Sequence, residues 1–178
     1  MEHVSDQQLI EQTLAGDNTA YNQLVVRYQR AVYGLCRRML RDHDLADEAA
    51  QETFVKAYFA LRQYDRVYRF YTWLSRIAFN LCCDALKQRK RTVPLGAAPE
   101  PQSADDPLES AVQSDATARI RDQIARLPAD QRKIVLLRVD KELSYEEIGT
   151  ILKIPIGTVM SRLYRARQAL YESLKDIL

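Results

Sequence analysis

Five polar side chains in the first third of the chain recur at steps of three, four and seven residues, and four of them are acidic: Asp44, Asp47, Glu48, Gln51 and Glu52. On an α-helix this spacing places them on one side, called the acidic face below. Clustered carboxylates can hold Mg²⁺ for phosphoryl chemistry, dock a basic partner, or simply contact solvent. We disfavour the metal because the chain has no Gly-rich phosphate loop and its only histidines are His3 and His43.

A second group alternates aromatic rings with cations over residues 62–91, the basic-aromatic segment. Flat rings stack on unpaired bases at about 1 to 3 kcal/mol each, while cations follow the backbone of a single strand. The segment therefore predicts a surface for single-stranded nucleic acid. Its candidate contacts are Arg62, Tyr64, Tyr68, Arg76, Asn80, Lys87, Arg89 and Arg91. The alternative is that some rings belong to the core, which we expect for Trp73 and leave open for Phe70 and Tyr71.

The last 20 residues predict a helix with two distinct sides. Val159, Leu163, Ala166 and Leu170 share a narrow apolar stripe. The opposite side, called the outward face, carries types that read base edges: Ser161, Tyr164, Arg165 and Gln168. Arg162 and Arg167 flank it and suit phosphates. A solvated surface on an ordinary helix pair is the alternative.

Helical periodicity and caps predict the elements that position these groups. Four helices are expected over residues 5–16, 17–41, 42–62 and 72–91, with a loop at 63–71. Further helices follow from residue 116, and the last two form a helix-turn-helix, a common way to place a helix in the major groove. Capping boxes are expected at Ser5 with Gln8 and at Ser144 with Glu147. Ser144 and Tyr145 thus begin a helix whose N–H groups and hydroxyls could bind a phosphate.

Composition fits two small all-α domains joined by a flexible linker. The 178 residues are 47% apolar and 28% charged, as in globular proteins, and five glycines with six prolines give few turns for an all-β chain. Residues 92–115 contain four of the prolines, five acids and no Lys or Arg. Such a stretch buries too little apolar area to fold. We therefore predict domains at 1–91 and 116–178, with net charges of +3 and +4, around an acidic linker.

Three cysteines, Cys36, Cys82 and Cys83, cannot form a disulfide framework, and a reducing compartment is expected. Residues 1–6 do not show the basic start followed by an apolar run that is typical of a signal peptide, and no run of about 18 apolar residues occurs. We therefore expect a cytoplasmic protein without direct membrane insertion. A redox or zinc role for Cys82 and Cys83 stays open beside the interpretation that they are core or semi-exposed thiols.

Three motifs together resemble the extracytoplasmic function (ECF, group IV) sigma factors of bacterial RNA polymerase. They are Asp44–Phe54, Trp73–Asn80, and Ser144–Ile148 with Pro155–Arg167. The resemblance implies that the acidic face docks on the polymerase. It implies that the basic-aromatic segment reads and opens the −10 element. It also implies that the helix-turn-helix reads the −35 element through Ser144, Tyr145, Thr158, Ser161, Arg162, Tyr164, Arg165 and Gln168.

The resemblance also implies the partners. These are core RNA polymerase, through its clamp helices and flap, promoter DNA, and an anti-sigma factor, in a transcription regulator of stress responses. No enzymatic activity, metal or other cofactor is expected. The acidic linker would lie in the RNA exit path, where its charge could mimic RNA.

Two residues depart from the family pattern. Gly149 stands where Ala is usual, which costs about 1 kcal/mol of helix propensity unless close packing requires it. Met160 stands where many members have Arg. Two rival functions remain: an autonomous helix-turn-helix regulator, and a nucleic-acid hydrolase with a metal on the acidic face.

Overall fold

The computed structural model describes residues 4–92, 115–139 and 143–175, and these residues form helices and no strand. This confirms the all-α class. The chain divides into two compact units, and the described residues form four α-helices in each. The predicted linker at 92–115 lies almost wholly outside the described residues, at 93–114. None of the described helices combines the length and apolar character that a bilayer span requires.

The first unit consists of α1 (Asp6–Leu14), α2 (Asn18–Leu40), α3 (His43–Ala60), a 3₁₀ turn (Leu61–Gln63) and α4 (Phe70–Thr92). The capping box of Ser5 with Gln8 is confirmed, and Asp17 and Asp42 cap the next two helices. Gly16 follows α1 with φ 104°, a left-handed conformation that glycine adopts without strain. These local signals fix the element boundaries.

Helices α2, α3 and α4 pack against one another around an apolar core. Helix α3 contributes mainly small side chains, Ala46, Ala50 and Ala57, which allow its neighbours to approach closely. The Tyr21 hydroxyl donates a hydrogen bond to the Phe54 carbonyl of α3, and burial raises the pKa of Tyr21. In α1, Leu9 and Ile10 are buried, whereas Leu14 at the end of the helix is 37% exposed.

Helix α4 begins at Phe70, two residues before the predicted start. Phe70 and Tyr71 are each only 2% exposed, so they form the first turn of the helix and not the end of a loop. The stacked pair of Tyr71 and Tyr28, with ring centroids 5.7 Å apart, joins this turn to α2. The open question about these two rings is therefore settled in favour of the core.

The second unit consists of α5 (Asp115–Arg126), α6 (Ala129–Val139), α7 (Tyr145–Leu152) and α8 (Ile156–Leu174). Helix α8 packs on the other three, and the core is formed by Ile134, Leu137, Leu143, Ile148, Val159 and Leu163. Val139 is 52% exposed because it lies two residues, about 200° of rotation, beyond the buried Leu137. The predicted helix-turn-helix is present as α7 and α8.

Candidate functional site

The acidic face lies on the solvent side of α3. Its five members are all exposed, while the opposite side of the helix is buried against α2 and α4. The Gln51 side-chain amide donates to Asp47 over 2.7 Å, and Lys56 pairs with Glu52 over 2.9 Å. Within the described residues, no group of three or more His, Cys, Asp or Glu side chains is arranged to hold a metal ion. The face is thus a negatively charged surface available to a partner.

Tyr64 and Tyr68, predicted to play the same role, occupy different environments. The Tyr64 ring is half-buried, 5.5 Å from the Phe70 centroid and 5.4 Å from that of Trp73, and its hydroxyl donates to the Tyr68 carbonyl over 2.6 Å. Desolvation is the main reason why its pKa is raised. Tyr68, by contrast, is 39% exposed. Tyr64 therefore packs the loop onto α4, and Tyr68 offers the more accessible ring.

The polar candidates of the basic-aromatic segment differ in their exposure to solvent. Arg62 and Asn80 are exposed, and Arg76 and Arg89 are half-buried. Lys87 is exposed but pairs with Asp84 over 2.9 Å. The side chain of Arg91 lies outside the described residues. Asn80 and Arg62 thus join Tyr68 as the accessible groups of this segment.

The loop that carries Tyr68 is tied to α1. Arg66, at the centre of the loop, pairs with Glu11 over 3.0 Å. Asp6 at the start of α1 accepts hydrogen bonds from Arg27 and Tyr28 of α2. Sequence reasoning missed Glu11, because a contact between residues 55 positions apart leaves no local signal. The first helix therefore helps to position the loop.

Two of the cysteines lie together in the core. Cys36 of α2 and Cys82 of α4 are both fully buried. A hydrogen bond between the thiols lowers the pKa of Cys36. The same hydrogen bond is the main reason why the pKa of Cys82 is raised, and burial is the second reason. Cys83 is half-buried. Cys82 therefore interacts mainly with Cys36 of α2, and less with Cys83, which follows it in the sequence.

The turn between α7 and α8 brings the backbone of Ile154 close to Gly149. The capping box of Ser144 is confirmed: its N–H donates to the Glu147 carboxylate over 2.7 Å, and its hydroxyl accepts from the Glu147 N–H over 3.2 Å. Lys153 ends α7 in a left-handed conformation, with φ 56°. A Cβ on Gly149 would lie only 2.9 Å from the Ile154 carbonyl oxygen. Close packing therefore requires the glycine where the family pattern has alanine.

Helix α8 presents the outward face as predicted. Val159, Leu163 and Ala166 are buried, and Leu170 is half-buried. On the other side all four members of the outward face are exposed, with Tyr164 at 64%. The Ser161 hydroxyl donates to the carbonyl of Thr158, whose own side chain is half-buried. Four groups of types that can read bases are thus exposed to solvent on one side of a single helix.

Arg162 has a partner that its position in the sequence did not reveal. Its guanidinium pairs with the Asp130 carboxylate of α6 over 3.1 Å, and its side chain is 33% exposed. A phosphate that contacts Arg162 must therefore compete with Asp130. Arg167, the other predicted flanking cation, is exposed.

The start of α7 already holds negative charge. Glu146 and Glu147 occupy its first turn, and hydrogen bonds from the backbone and from the Ser144 hydroxyl lower the pKa of Glu146. Tyr145 is half-buried, and Arg138 lies 5.1 Å from its ring centroid. A phosphate at this helix start would therefore have two carboxylates beside it, with Arg138 as the nearby cation.

Comparison with known protein families covers both units. The family model described as Sigma-70 region 2 matches residues 24–92, and the model described as Sigma-70, region 4 matches residues 117–170. The first match includes the acidic face and the whole basic-aromatic segment. The second includes α7 and all but the end of α8.

Among solved structures, CnrH in complex with the cytosolic domain of CnrY is similar, with a TM-score of 0.72 and 26% identity over 96% of this chain and 97% of that chain. The sigma factor RpoE in complex with the anti-sigma factor NepR from Bartonella quintana has a TM-score of 0.68 over 87% of this chain and 96% of that chain. At 24% identity, this second likeness shows the fold alone.

Named relatives match this chain over nearly its full length and over nearly all of their own. The RNA polymerase sigma-H factor of Pseudomonas aeruginosa is 36% identical over 97% of this chain and 95% of its own length. The ECF RNA polymerase sigma factor SigW of Bacillus subtilis is 36% identical over 94% and 96%. The ECF RNA polymerase sigma-E factor of Escherichia coli is 36% identical over 99% and 98%. The chain therefore belongs to the ECF sigma factors of RNA polymerase.

Proposed function

We propose that this chain, as a group IV sigma factor, brings core RNA polymerase to a set of promoters and opens the DNA there, without catalysing a reaction itself. One observation carries the proposal. Helix α8 buries one stripe in the second unit and leaves Ser161, Tyr164, Arg165 and Gln168 exposed together. A helix-turn-helix with this distribution can place base-reading groups in the major groove.

At the −35 element we assign base contacts to the outward face. Arg165 suits a guanine, Gln168 an adenine, and Ser161 either base, while Tyr164 suits a thymine methyl or a sugar. Thr158 and Arg162 would contact the backbone nearby, Arg162 after exchanging Asp130 for a phosphate. Ser144 and Tyr145 would touch a phosphate at the start of α7.

At the −10 element we assign base capture to Tyr68 and Asn80. An exposed ring stacks on an unpaired base, and an amide can hydrogen-bond its edge. Tyr64 holds the loop against α4, because its ring packs on Phe70 and Trp73. The remaining cations would follow the single-strand backbone: Arg62, Arg76, Lys87, Arg89 and Arg91.

The division of labour follows the two units. Residues 1–91 would dock through the acidic face on the polymerase clamp helices and engage the −10 element. Residues 116–178 would engage the −35 element and the flap, with 92–115 as the linker. The two family matches support this arrangement, because one ends at residue 92 and the other begins at residue 117. The RNA-mimicking role of the linker acids stays a prediction, since these residues lie outside the described part of the chain.

Regulation by an anti-sigma factor is part of the proposal. The RpoE structure that shares this fold is a complex with an anti-sigma factor. A protein that works with RNA polymerase on chromosomal DNA would act in the cytoplasm. A role in a stress response would then correspond to release of the chain from that partner.

In vitro transcription from genomic fragments tests the proposal. With core RNA polymerase added, the purified chain should yield defined start sites, and permanganate should detect unpaired thymines at the −10 element. Neither signal should arise from the chain alone. An autonomous regulator would instead bind duplex promoter without the polymerase, with half-sites about one helical turn apart. Specific binding of that kind, without open complexes in the presence of core enzyme, would refute the proposal.

A further inference from the structure

The solvent side of α3 continues beyond its carboxylates as an apolar surface. Val55 is 55% exposed and Phe59 79%, which makes Phe59 the most exposed large hydrophobic side chain in the part of the chain that the structure describes. Steps of three and four residues join Glu48, Glu52, Val55 and Phe59 into one stripe. Exposed aromatic surface next to a charged face is typical of a protein contact.

Neighbouring side chains hold the apolar end of this stripe in place. Tyr58 packs edge-on against Phe59, with ring centroids 5.6 Å apart. Tyr58 is itself fixed to α2, because its hydroxyl donates to the Asn18 side chain over 2.9 Å and its ring lies 5.0 Å from Tyr21. The Phe59 ring therefore has a fixed neighbour along one side, which lowers the entropy that a partner must remove on binding.

We propose that Val55 and Phe59 extend the polymerase-docking surface, so that the surface of the polymerase that covers α3 is basic at one end and apolar at the other. This inference rests on the proposed function. The occupant follows from continuity with the acidic face. Glu48 and Phe59 are eleven residues apart, about 16 Å along the helix. A standard interface buries about 800 Å² per partner, roughly 30 Å across, and so spans both ends.

The two ends have different physical tasks. Carboxylates steer a basic partner and set orientation, but they give little affinity at a solvated rim. A buried aromatic side chain is the usual source of binding energy in an interface. A second copy of this chain is a weaker candidate occupant, because Val55, Tyr58 and Phe59 offer far less than the roughly 1,200 Å² that a specific stable dimer buries.

Binding of full-length variants to core RNA polymerase, measured by fluorescence anisotropy at low and high salt, tests this inference. We expect Phe59→Ser to raise the Kd at least tenfold and Val55→Ser to raise it by a smaller factor. Both losses should be similar at the two salt concentrations, because an apolar contact is not screened. The double variant Glu48→Gln and Glu52→Gln should lose affinity mainly at low salt. Val26→Ser is the matched control: Val26 is 68% exposed on α2, outside this stripe, and its loss should change nothing.

The outcomes separate the inference from the function on which it rests. If Phe59→Ser binds like the parent while the double Gln variant loses affinity, the apolar extension is wrong and docking by the acidic face stands. If neither variant loses affinity, docking by the acidic face is wrong as well. If the parent sediments as a dimer and Phe59→Ser as a monomer, a second copy covers this surface, and the inference fails. Circular dichroism of each variant shows that the fold is unchanged.

Discussion

Replacing Gly149 by alanine should destabilise the second unit, although the same change stabilises most helices. The added Cβ would lie 2.9 Å from the Ile154 carbonyl oxygen and 3.7 Å from a methyl of Val159. Because the carbonyl oxygen belongs to the backbone, no side-chain rotation can move it away. Real Cβ atoms essentially never approach so closely, so the turn must move. That turn is held by the N–H groups of Lys153 and Ile154, which both donate to the Gly149 carbonyl. Movement therefore strains two hydrogen bonds as well as the packing.

The magnitude follows from two opposing terms. Alanine in place of glycine gains about 1 kcal/mol of helix propensity. Overpacking against a fixed neighbour costs about 1 to 3 kcal/mol. We expect a net loss of about 1 kcal/mol, which for a unit of this size lowers its melting temperature by about 4 to 8 °C. The second unit would lose stability while the outward face kept all four of its side chains.

Gly157→Ala is the matched control, because a Cβ there meets nothing within 4 Å and the residue lies in the first turn of α8. It should stabilise the unit by up to about 1 kcal/mol, so the two alanine variants should differ by about 2 kcal/mol. Circular dichroism follows both units, whereas the single tryptophan, Trp73, reports the first unit alone. The reasoning is refuted if Gly149→Ala melts at or above the temperature of Gly157→Ala.

Three further variants test features that only the structure revealed. Tyr64→Ala should lower the stability of the first unit by about 2 kcal/mol, seen in Trp73 fluorescence, because apolar packing is lost. Tyr68→Ala should keep that stability and slow open-complex formation about tenfold, and equal melting losses would contradict this contrast. Asp130→Asn should release Arg162 and tighten −35 binding by holoenzyme about twofold. The slope of the log-log salt dependence should stay the same, because Arg162 contacts the phosphate in both proteins, and a slope steeper by about 0.9 in the variant would speak against the exchange in the parent.

Local features of this chain could be predicted because they depend on neighbours a few residues apart. The capping boxes of Ser5 and Ser144, and the buried stripe of α8, follow from spacing on a helix, where side chains three or four positions apart share a side. The start of α4 was less predictable. Phe70 and Tyr71 look like loop residues until Tyr28 of α2 packs on them.

By itself, the sequence determined the helical class, the caps and which residues share a helix side, because these depend on propensity and period over a few turns. Its motifs also indicated the family. Only the tertiary structure decided that Tyr68 is exposed whereas Tyr64 packs on α4, and that Cys82 contacts Cys36. It also decided that Arg162 pairs with Asp130 and that Gly149 must remain small. Each of these is settled by a contact whose geometry depends on how separate segments pack, and neither residue type nor spacing specifies that packing.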